Sequence, residues 1–562
     1  MKTFVRVLLA STFLLFLQPL HADSLDDLAR DFWNWRAVEQ PVTGDDIPRL
    51  ERPAEWVPDW SPSAVAGYQQ QLEQFEARWK KLNARSWPIP RQVDYRLMGS
   101  AIARVRWELN VNRDWQRNPN FYLDQTLGAY GLLLLPPPPF DAVRTRNIVV
   151  TLASMPQLVA AAKKNLTQPA APFASLALDQ LQDIRPHILK SVLELKPLLD
   201  ASEARDLDSA AEKAAAVLES YRDWLKERLP SMSMQTAIGR DAYLFFLKNV
   251  ALLPYTPEQL LEIGRLEWAR AVAFQTYEEH RNASLPQLPV FKDQHEQIIA
   301  EQQDELAVRR FLDAKDLLTV PAWVQHYRFM PMAAYLAPLD GITEADDFTS
   351  PRRLKEDGTR YIDPPSPDLG YFFLSMAKDP RGLIVHEGVP GHYFQLVLSW
   401  AHPDPIRRHY YDSGANEGIG FYAEEMMLEA GLFDNSPRTR EIIANFMRLR
   451  ALRVEVDVKL ALGEFTLAQA AEYLRSSVPM DSKTAHSEAA AFASTPGQAI
   501  SYQIGKVQIV RLLAEARRRK EGVFSLRAFH DFVWLNGNVP IALQRWEYLG
   551  LRDDLEAVDG LR

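Results

Sequence analysis

The stretch His386-Glu387-Gly388-Val389-Pro390-Gly391-His392 holds two imidazoles and a carboxylate in close succession. In a zinc hydrolase of the His-Glu-x-x-His kind, two histidines one helical turn apart hold the metal from one face. The adjacent Glu takes a proton from water. Here the second histidine comes six residues after the first. Six residues on a straight helix turn through roughly 600°, which sends the two imidazoles to different faces. The intervening Pro390-Gly391 offers a remedy, because proline denies the helix a hydrogen bond and glycine permits a backbone bulge. The expectation is a bulge that absorbs two residues and restores an i,i+4-like relation between His386 and His392.

A zinc site of this kind needs a third protein ligand and one open position for water. The chain contains no cysteine, so a transition metal must be held by His, Asp and Glu. The same absence excludes disulfides, iron–sulfur clusters, a cysteine nucleophile and a lipid-modified N-terminal cysteine. Glu417 lies 25 residues after His392, in Ala415-Asn416-Glu417-Gly418-Ile419-Gly420-Phe421-Tyr422-Ala423-Glu424-Glu425, which runs on into an amphipathic helix. The flanking glycines let another chain segment approach closely. Glu417 is the candidate third ligand. Glu424, seven residues on and so on the same helical face, is a candidate for orienting a ligand histidine from behind.

Three ordered motifs carry a family resemblance. They are His386 to His392, Glu417 to Glu425, and Pro496-Gly497-Gln498-Ala499-Ile500-Ser501-Tyr502-Gln503-Ile504-Gly505, with Phe529-His530-Asp531-Phe532 and Gly537-Asn538-Val539-Pro540 in support. Together they resemble a widespread bacterial family catalogued as domain of unknown function 885, clearly over residues 250 to 560. That family is similar in pattern to the helical gluzincin peptidases: angiotensin-converting enzyme, thimet oligopeptidase and the thermostable carboxypeptidases. The resemblance implies one zinc ion held by His386, His392 and Glu417, with Glu387 as general base. It implies that Tyr502 donates a hydrogen bond to the oxyanion of the tetrahedral intermediate. Many relatives carry His-His after the Pro-Gly, whereas this chain has Tyr393 in the second position.

Around the motifs the 562 residues read as mostly helical. Thr256-Pro257-Glu258-Gln259 and Thr466-Leu467-Ala468-Gln469 are capping boxes, the first with Pro at the opening helical position. The Ala-, Glu-, Lys- and Leu-rich run from 201 to 229 is a further helix. Leu132 to Phe140 is an apolar helix end stopped by prolines. The charged, Pro-rich segment from Gly341 to Asp368 reads as a long loop. Gly370 to Met376, aromatic and apolar, reads as an edge strand along which a peptide aligns, with Gly370, Tyr371 and Phe372 lining it. Arg381 and Lys506 are candidates for gripping a substrate carboxylate. The expected fold is mainly α: a large two-lobed gluzincin-like body with a deep cleft and a small edge sheet beside the metal. Residues 23–365 form an N-terminal helical lobe and 366–562 the catalytic lobe, as one integrated domain.

The N-terminus carries the three parts of a secretory signal peptide over residues 1–22. Lys2 and Arg6 precede an apolar stretch from Val7 to Leu17, and Leu20-His21-Ala22 ends in a small residue. The apolar run falls well short of the roughly 20 residues that span a bilayer. Export, to the periplasm, with no membrane insertion after cleavage, is the expectation. Cleavage removes two positive charges and takes the net charge from −9 to −11. An acidic chain without a basic run is not a nucleic-acid binder, since phosphate contacts supply most of that affinity. Gly418 to Ala423 matches a dinucleotide-binding pattern of glycines but follows no strand. The expected function is an exported zinc metallopeptidase acting on short peptides. The alternatives are a non-catalytic metal- or peptide-binding protein with the same ligands, or a metallohydrolase of a non-peptide amide.

Overall fold

The computed structural model describes residues 24–39, 41, 50–339, 341, 346–347 and 349–561; the leader expected at 1–22 lies outside them. The helical reading holds in detail. Thr256 accepts the Gln259 N–H and the Gln259 side chain accepts the Thr256 N–H, opening helix Pro257–Arg281. Thr466 and Gln469 do the same for helix Leu467–Ser477. Each box satisfies two N–H groups that the first helical turn cannot. The 201–229 run is helix Leu207–Arg228, and helix Ala129–Leu134 stops short of the proline run. Among the described residues no helix is long and apolar enough to cross a membrane.

Two large apolar cores organise the helices, and both draw on distant parts of the chain. One joins Leu28, Leu97, Leu152 and Leu218 with Leu543 and Val558, so the C-terminal helices close the N-terminal core. The other joins Val308 and Tyr327 with Ile384, Phe394, Phe421 and Trp534. The functional motifs are embedded in this second core.

Two expectations are corrected. Gly370 to Met376 is not a strand: Tyr371–Lys378 is a helix, with Gly370 before its first residue. Asp481 accepts the Tyr371 N–H at 3.0 Å, satisfying one of the orphan donors of the first turn. Tyr371 and Phe372 both pack on Phe446, with ring centroids 5.7 and 5.9 Å away. That shared aromatic contact outweighs a β preference that is mostly a preference for half-buried surfaces. The Gly341–Asp368 segment, in turn, is not a structureless loop. It contains β2 (Asp346–Asp347) and β3 (Gly358–Ile362), which with the preceding β1 (Tyr327–Pro331) form a sheet in the order β1-β3-β2. β3 runs parallel to β1 and antiparallel to β2. β3 lines the pocket beside the candidate site through Arg360, and Tyr327 of β1 lies against Gly388.

Two helix pairs position that site. Helix Pro257–Arg281 packs along Pro437–Leu462, and Ser413–Glu429 packs along Ser501–Arg519. The second pair crosses backbone to backbone. A Cβ on Gly505 would lie 2.0 Å from the Gly414 carbonyl oxygen, and one on Gly418 would lie 2.6 Å from Gly505 Cα. No side chain fits between these helices. Gly505→Ala is expected to force them apart and lower the unfolding free energy by about 1–3 kcal/mol. Gly522→Ala, where a Cβ meets nothing within 4 Å, is expected to stay within about 0.5 kcal/mol of the parent. Urea denaturation of both variants measures the difference.

Candidate metal centre

The two histidines meet by a route other than a bulge in one continuous helix. Ile384–Gly388 is a wide π-helical turn, the chain leaves the helix over Val389, Pro390 and Gly391, and helix His392–Trp400 begins afresh. π turns recur at functional sites because they displace one residue outward. Trp534 Nε1 donates to the Pro390 carbonyl at 2.6 Å and pins the break. Gly391 sits where no other residue can: a Cβ there would lie 1.7 Å from the His386 carbonyl oxygen. The chain folds back this tightly, and the imidazole centroids of His386 and His392 come to 4.6 Å.

Glu417 reaches them from helix Ser413–Glu429, whose first turn is held by Asp412 accepting the Ala415 N–H at 2.7 Å. Gly420, one turn further on, lets this helix lie directly against the rings. A Cβ there would stand 2.9 Å from His392 Cε1 and 3.1 Å from His386 Cε1. Glu417 Oε2 lies 3.0 Å from His392 Nε2 and 3.6 Å from His386 Nε2. The three residues can bring one ligand atom each within 4.8 Å of one another. Bonds of about 2.0–2.1 Å to a tetrahedral zinc ion give ligand–ligand edges of about 3.3–3.5 Å. The two measured Glu–His edges bracket that value. Glu417 Oε2 makes no hydrogen bond of acceptable geometry with any described residue. A carboxylate oxygen so close to two imidazoles yet unbonded fits a shared cation, and the donor set is one that zinc takes.

The field around the triad is strongly anionic. His386 Nδ1 is 2.6 Å from Glu424 Oε1, which is fully buried and also paired with Arg450 Nη2 at 2.7 Å. This contact leaves His386 Nε2 facing Glu417. Burial and the Arg450 charge both oppose a proton on His386, but the Glu417 and Glu424 carboxylates outweigh them and raise its pKa to about 9. Burial works against the charge on Glu417, yet His392 and His386 hold its carboxyl well below the usual carboxylate range.

Glu387 points from the π turn toward a pocket of about 220 Å³, with Oε2 4.0 Å from His392 Nε2 and Oε1 3.9 Å from Arg360 Nη1 on β3. Tyr502, from helix Ser501–Arg519, lines the same pocket and lies parallel to the His386 ring at a centroid distance of 6.2 Å. Burial, then the nearby Glu417 charge, push its hydroxyl far above the ordinary tyrosine range, so it stays a proton donor. Gln498 Nε2 lies 3.3 Å from the Tyr502 hydroxyl and 3.5 Å from Glu417 Oε1.

Of the residues expected to bind substrate, the structure brings Phe372 into this pocket. Tyr371 turns to the far side of its helix and its hydroxyl donates to Asn445. Gly370 remains outside the pocket lining. Arg381 is held by Asp379 at 2.6 Å, and Lys506 is buried between Glu267 and Glu425 at 3.0 and 2.7 Å. Neither lines the pocket. Tyr393, in the place of a second histidine, turns away from the triad and packs on Tyr327 of β1.

Several residues at the site went unsingled in the sequence: Arg360, Arg450, Arg453, Asp457 and Gln498. The available signal was charge at i, i+3 and i+7 on the otherwise apolar run Leu449-Arg450-Ala451-Leu452-Arg453-Val454-Glu455-Val456-Asp457. Asp457 accepts the N–H groups of Gly497 at 2.9 Å, Ala499 at 2.8 Å and Ile500 at 3.3 Å, and the Tyr243 hydroxyl at 2.9 Å. Burial pushes its carboxyl up to about 7 against the pull of these donors. The anchored turn carries Gln498 and leads into Tyr502. Its Gly497 has φ +97° and would place a Cβ 2.2 Å from Phe246, so both backbone and space demand glycine. Asp457→Ala leaves buried N–H groups without an acceptor and is expected to cost about 3 kcal/mol or more, whereas Asp457→Asn keeps an acceptor and most of the stability. Urea denaturation of the two variants checks the order.

A family model described as "Bacterial protein of unknown function (DUF885)" matches residues 48–546. No protein of curated function matches the sequence. Two solved structures share the fold at 17% identity. A "putative lipoprotein of unknown function" from Shewanella oneidensis has a TM-score of 0.69, over 94% of this chain and 100% of that one. A "putative lipoprotein" from Colwellia psychrerythraea has a TM-score of 0.73, over 95% and 99%.

Proposed function

The chain belongs to the DUF885 family of bacterial proteins, and for this member we propose a zinc-dependent metallopeptidase of gluzincin type that hydrolyses short peptides. The observation that carries the reading is Glu417 Oε2 placed 3.0 and 3.6 Å from the Nε2 atoms of His392 and His386. Beside them Glu387 opens onto a pocket large enough for side chains. His386, His392 and Glu417 hold the ion. Zinc bound there supplies Lewis acidity, polarising a carbonyl and making water easier to deprotonate.

The remaining work falls to the chain. Glu387 accepts a proton from the attacking water and returns it to the leaving amine nitrogen as the C–N bond breaks and the new C–O bond forms. Tyr502, kept protonated by burial and the neighbouring carboxylate, donates to the oxygen on which negative charge develops. Glu424 fixes the ring of His386 so that Nε2 faces the ion, and Arg450 holds Glu424 in turn.

Export to the periplasm belongs to the same reading. Its supports are the basic–apolar–small pattern of residues 1–22 and the description of both structural neighbours as putative lipoproteins. This chain has no cysteine to carry such a lipid.

Zinc-loaded protein is expected to release new amino groups from a broad mixture of short peptides and to stop on chelation. Glu387→Gln should keep its zinc and lose about 10²–10⁴ in kcat. Tyr502→Phe should lose about 10²–10³. Glu424→Gln should weaken zinc binding by about 10–100-fold in competition with a chromophoric chelator. Stoichiometric zinc in the wild type with no cleavage of any peptide would overturn the enzyme and leave a binding protein. Equal zinc content in wild type and His392→Ala would remove the metal site itself.

A further inference from the structure

The pocket beside the histidines is lined by two buried cationic groups on one helix. Arg450 and Arg453 stand three residues apart on helix Pro437–Leu462; each is only 4% exposed, and both line the pocket. Arg450 Nη2 lies 2.7 Å from Glu424 Oε1 and 3.3 Å from His386 Nδ1, but its buried Nε and Nη1 have no hydrogen-bond partner among the described residues. Arg453 commits its Nε and Nη2 to Glu488, at 2.8 and 2.6 Å. Both go to the same Glu488 oxygen, so the unpartnered buried N–H groups of the pair are those of Arg450. Buried N–H groups without an acceptor are costly, the more so on a charged group. An anionic ligand arriving in the pocket relieves that cost.

The rest of the wall says what accompanies the anion. Phe372, Met376, Leu383, Ile442 and Phe446 make it apolar. The guanidinium carbons of Arg450 and Arg453 lie 5.7 and 4.5 Å from the Tyr502 ring centroid, and that ring lies parallel to His386 at 6.2 Å. Arg453 thus stacks on the aromatic ring that lies parallel to His386, whereas Arg450 touches His386 itself, Nη2 to Nδ1 at 3.3 Å. An extended peptide advances about 3.5 Å per residue. A carboxylate on Arg453, or on the Nε–Nη1 edge of Arg450, is therefore within one or two residues' reach of a bond placed at the triad. The one anionic group that every unmodified peptide carries is its C-terminal carboxylate.

We propose that Arg450 and Arg453 form a subsite for the C-terminal carboxylate of the substrate, so that the protein removes one or two residues from the C-termini of short peptides and prefers an apolar residue there. The proposal rests on the peptidase reading of the same pocket. Arg360 also lines the pocket, but beside Glu387, 3.9 Å from its Oε1 and 2.7 Å from Asp346.

The test uses N-acylated pentapeptides ending in Phe, Leu or Glu, each as the free acid and as the C-terminal amide, with products read by mass spectrometry. Zinc-loaded wild type is expected to release one or two C-terminal residues from the acids, Phe and Leu ahead of Glu. The amides should react with kcat/KM lower by about 10–10²-fold, the loss of charge-assisted hydrogen bonds. Arg453→Gln should bring the acid-to-amide ratio toward one through KM, with zinc content unchanged. Calorimetry on zinc-loaded Glu387→Gln should show the free acid binding more tightly than its amide by a similar factor. Equal cleavage of acid and amide, or cuts at internal bonds regardless of the distance to the C-terminus, would overturn the subsite and leave the peptidase standing. Selective binding of the acids without any cleavage would keep the subsite and overturn the peptidase. No cleavage and no selectivity would overturn both.

Discussion

The arrangement depends on one buried carboxylate. Glu424 has no exposed surface, and its Oε1 lies 2.6 Å from His386 Nδ1 and 2.7 Å from Arg450 Nη2. Three segments are tied by it: the π turn that carries His386, helix Ser413–Glu429 and helix Pro437–Leu462. Taking these charges out of water costs several kcal/mol per ion, and apolar residues of the same volume would often stabilise a fold as well or better. What apolar side chains cannot do is specify which nitrogen of His386 turns inward. A rotation of the ring or a slip of either helix separates these charges. The ion pairs therefore act as a register mark, and Glu417, two turns before Glu424 on the same helix, is set by the same mark.

Close approach supplies what the ion pairs need. Gly391 admits the fold-back that joins the histidines, Gly420 lets the glutamate helix rest on their rings, and Gly418 with Gly505 brings in the helix bearing Tyr502. At each point a single methyl group would stand at or inside normal contact distance of backbone or imidazole. Asp457 complements them from the opposite direction, gathering three backbone N–H groups into the turn before Tyr502. Attraction at buried carboxylates and the absence of side chains at glycines are two parts of one constraint. The first selects a geometry, and the second makes it sterically available.

What was legible in the sequence is what depends on local chemistry. The capping boxes at Thr256 and Thr466 need only four consecutive residues, and both form. The seven-residue spacing of Glu417 and Glu424 needs only helical periodicity, and both carboxylates face His386. The Gly370–Met376 segment was misread because its aromatic residues suit a strand as well as a helix. The choice was made by Phe446 and Asp481, more than 70 residues away in the chain. β3 was hidden for the opposite reason. Gly358-Thr359-Arg360-Tyr361-Ile362 is short and lies in a charged, Pro-rich stretch, and its parallel partner β1 begins 31 residues earlier. Arg450 and Arg453 look like solvated helix charges until packing buries them among Phe421, Phe446, Phe492 and Tyr502.

The balance of charge at the centre follows from these placements. Glu424 is matched by Arg450, Arg453 by Glu488, and Arg360 by Asp346. Glu417 and Glu387 are left with the two imidazoles and with Arg360 at 3.9 Å, a cation already engaged. Two carboxylates in a largely buried site without a cation of their own create a field that draws positive charge from whatever source is at hand. Of the two imidazoles, His386 is pushed up to about 9 by the Glu417 and Glu424 carboxylates, although burial and Arg450 oppose it. In the proposed reading, a dication at the triad would meet the same demand and leave both imidazoles neutral, the form in which they act as ligands.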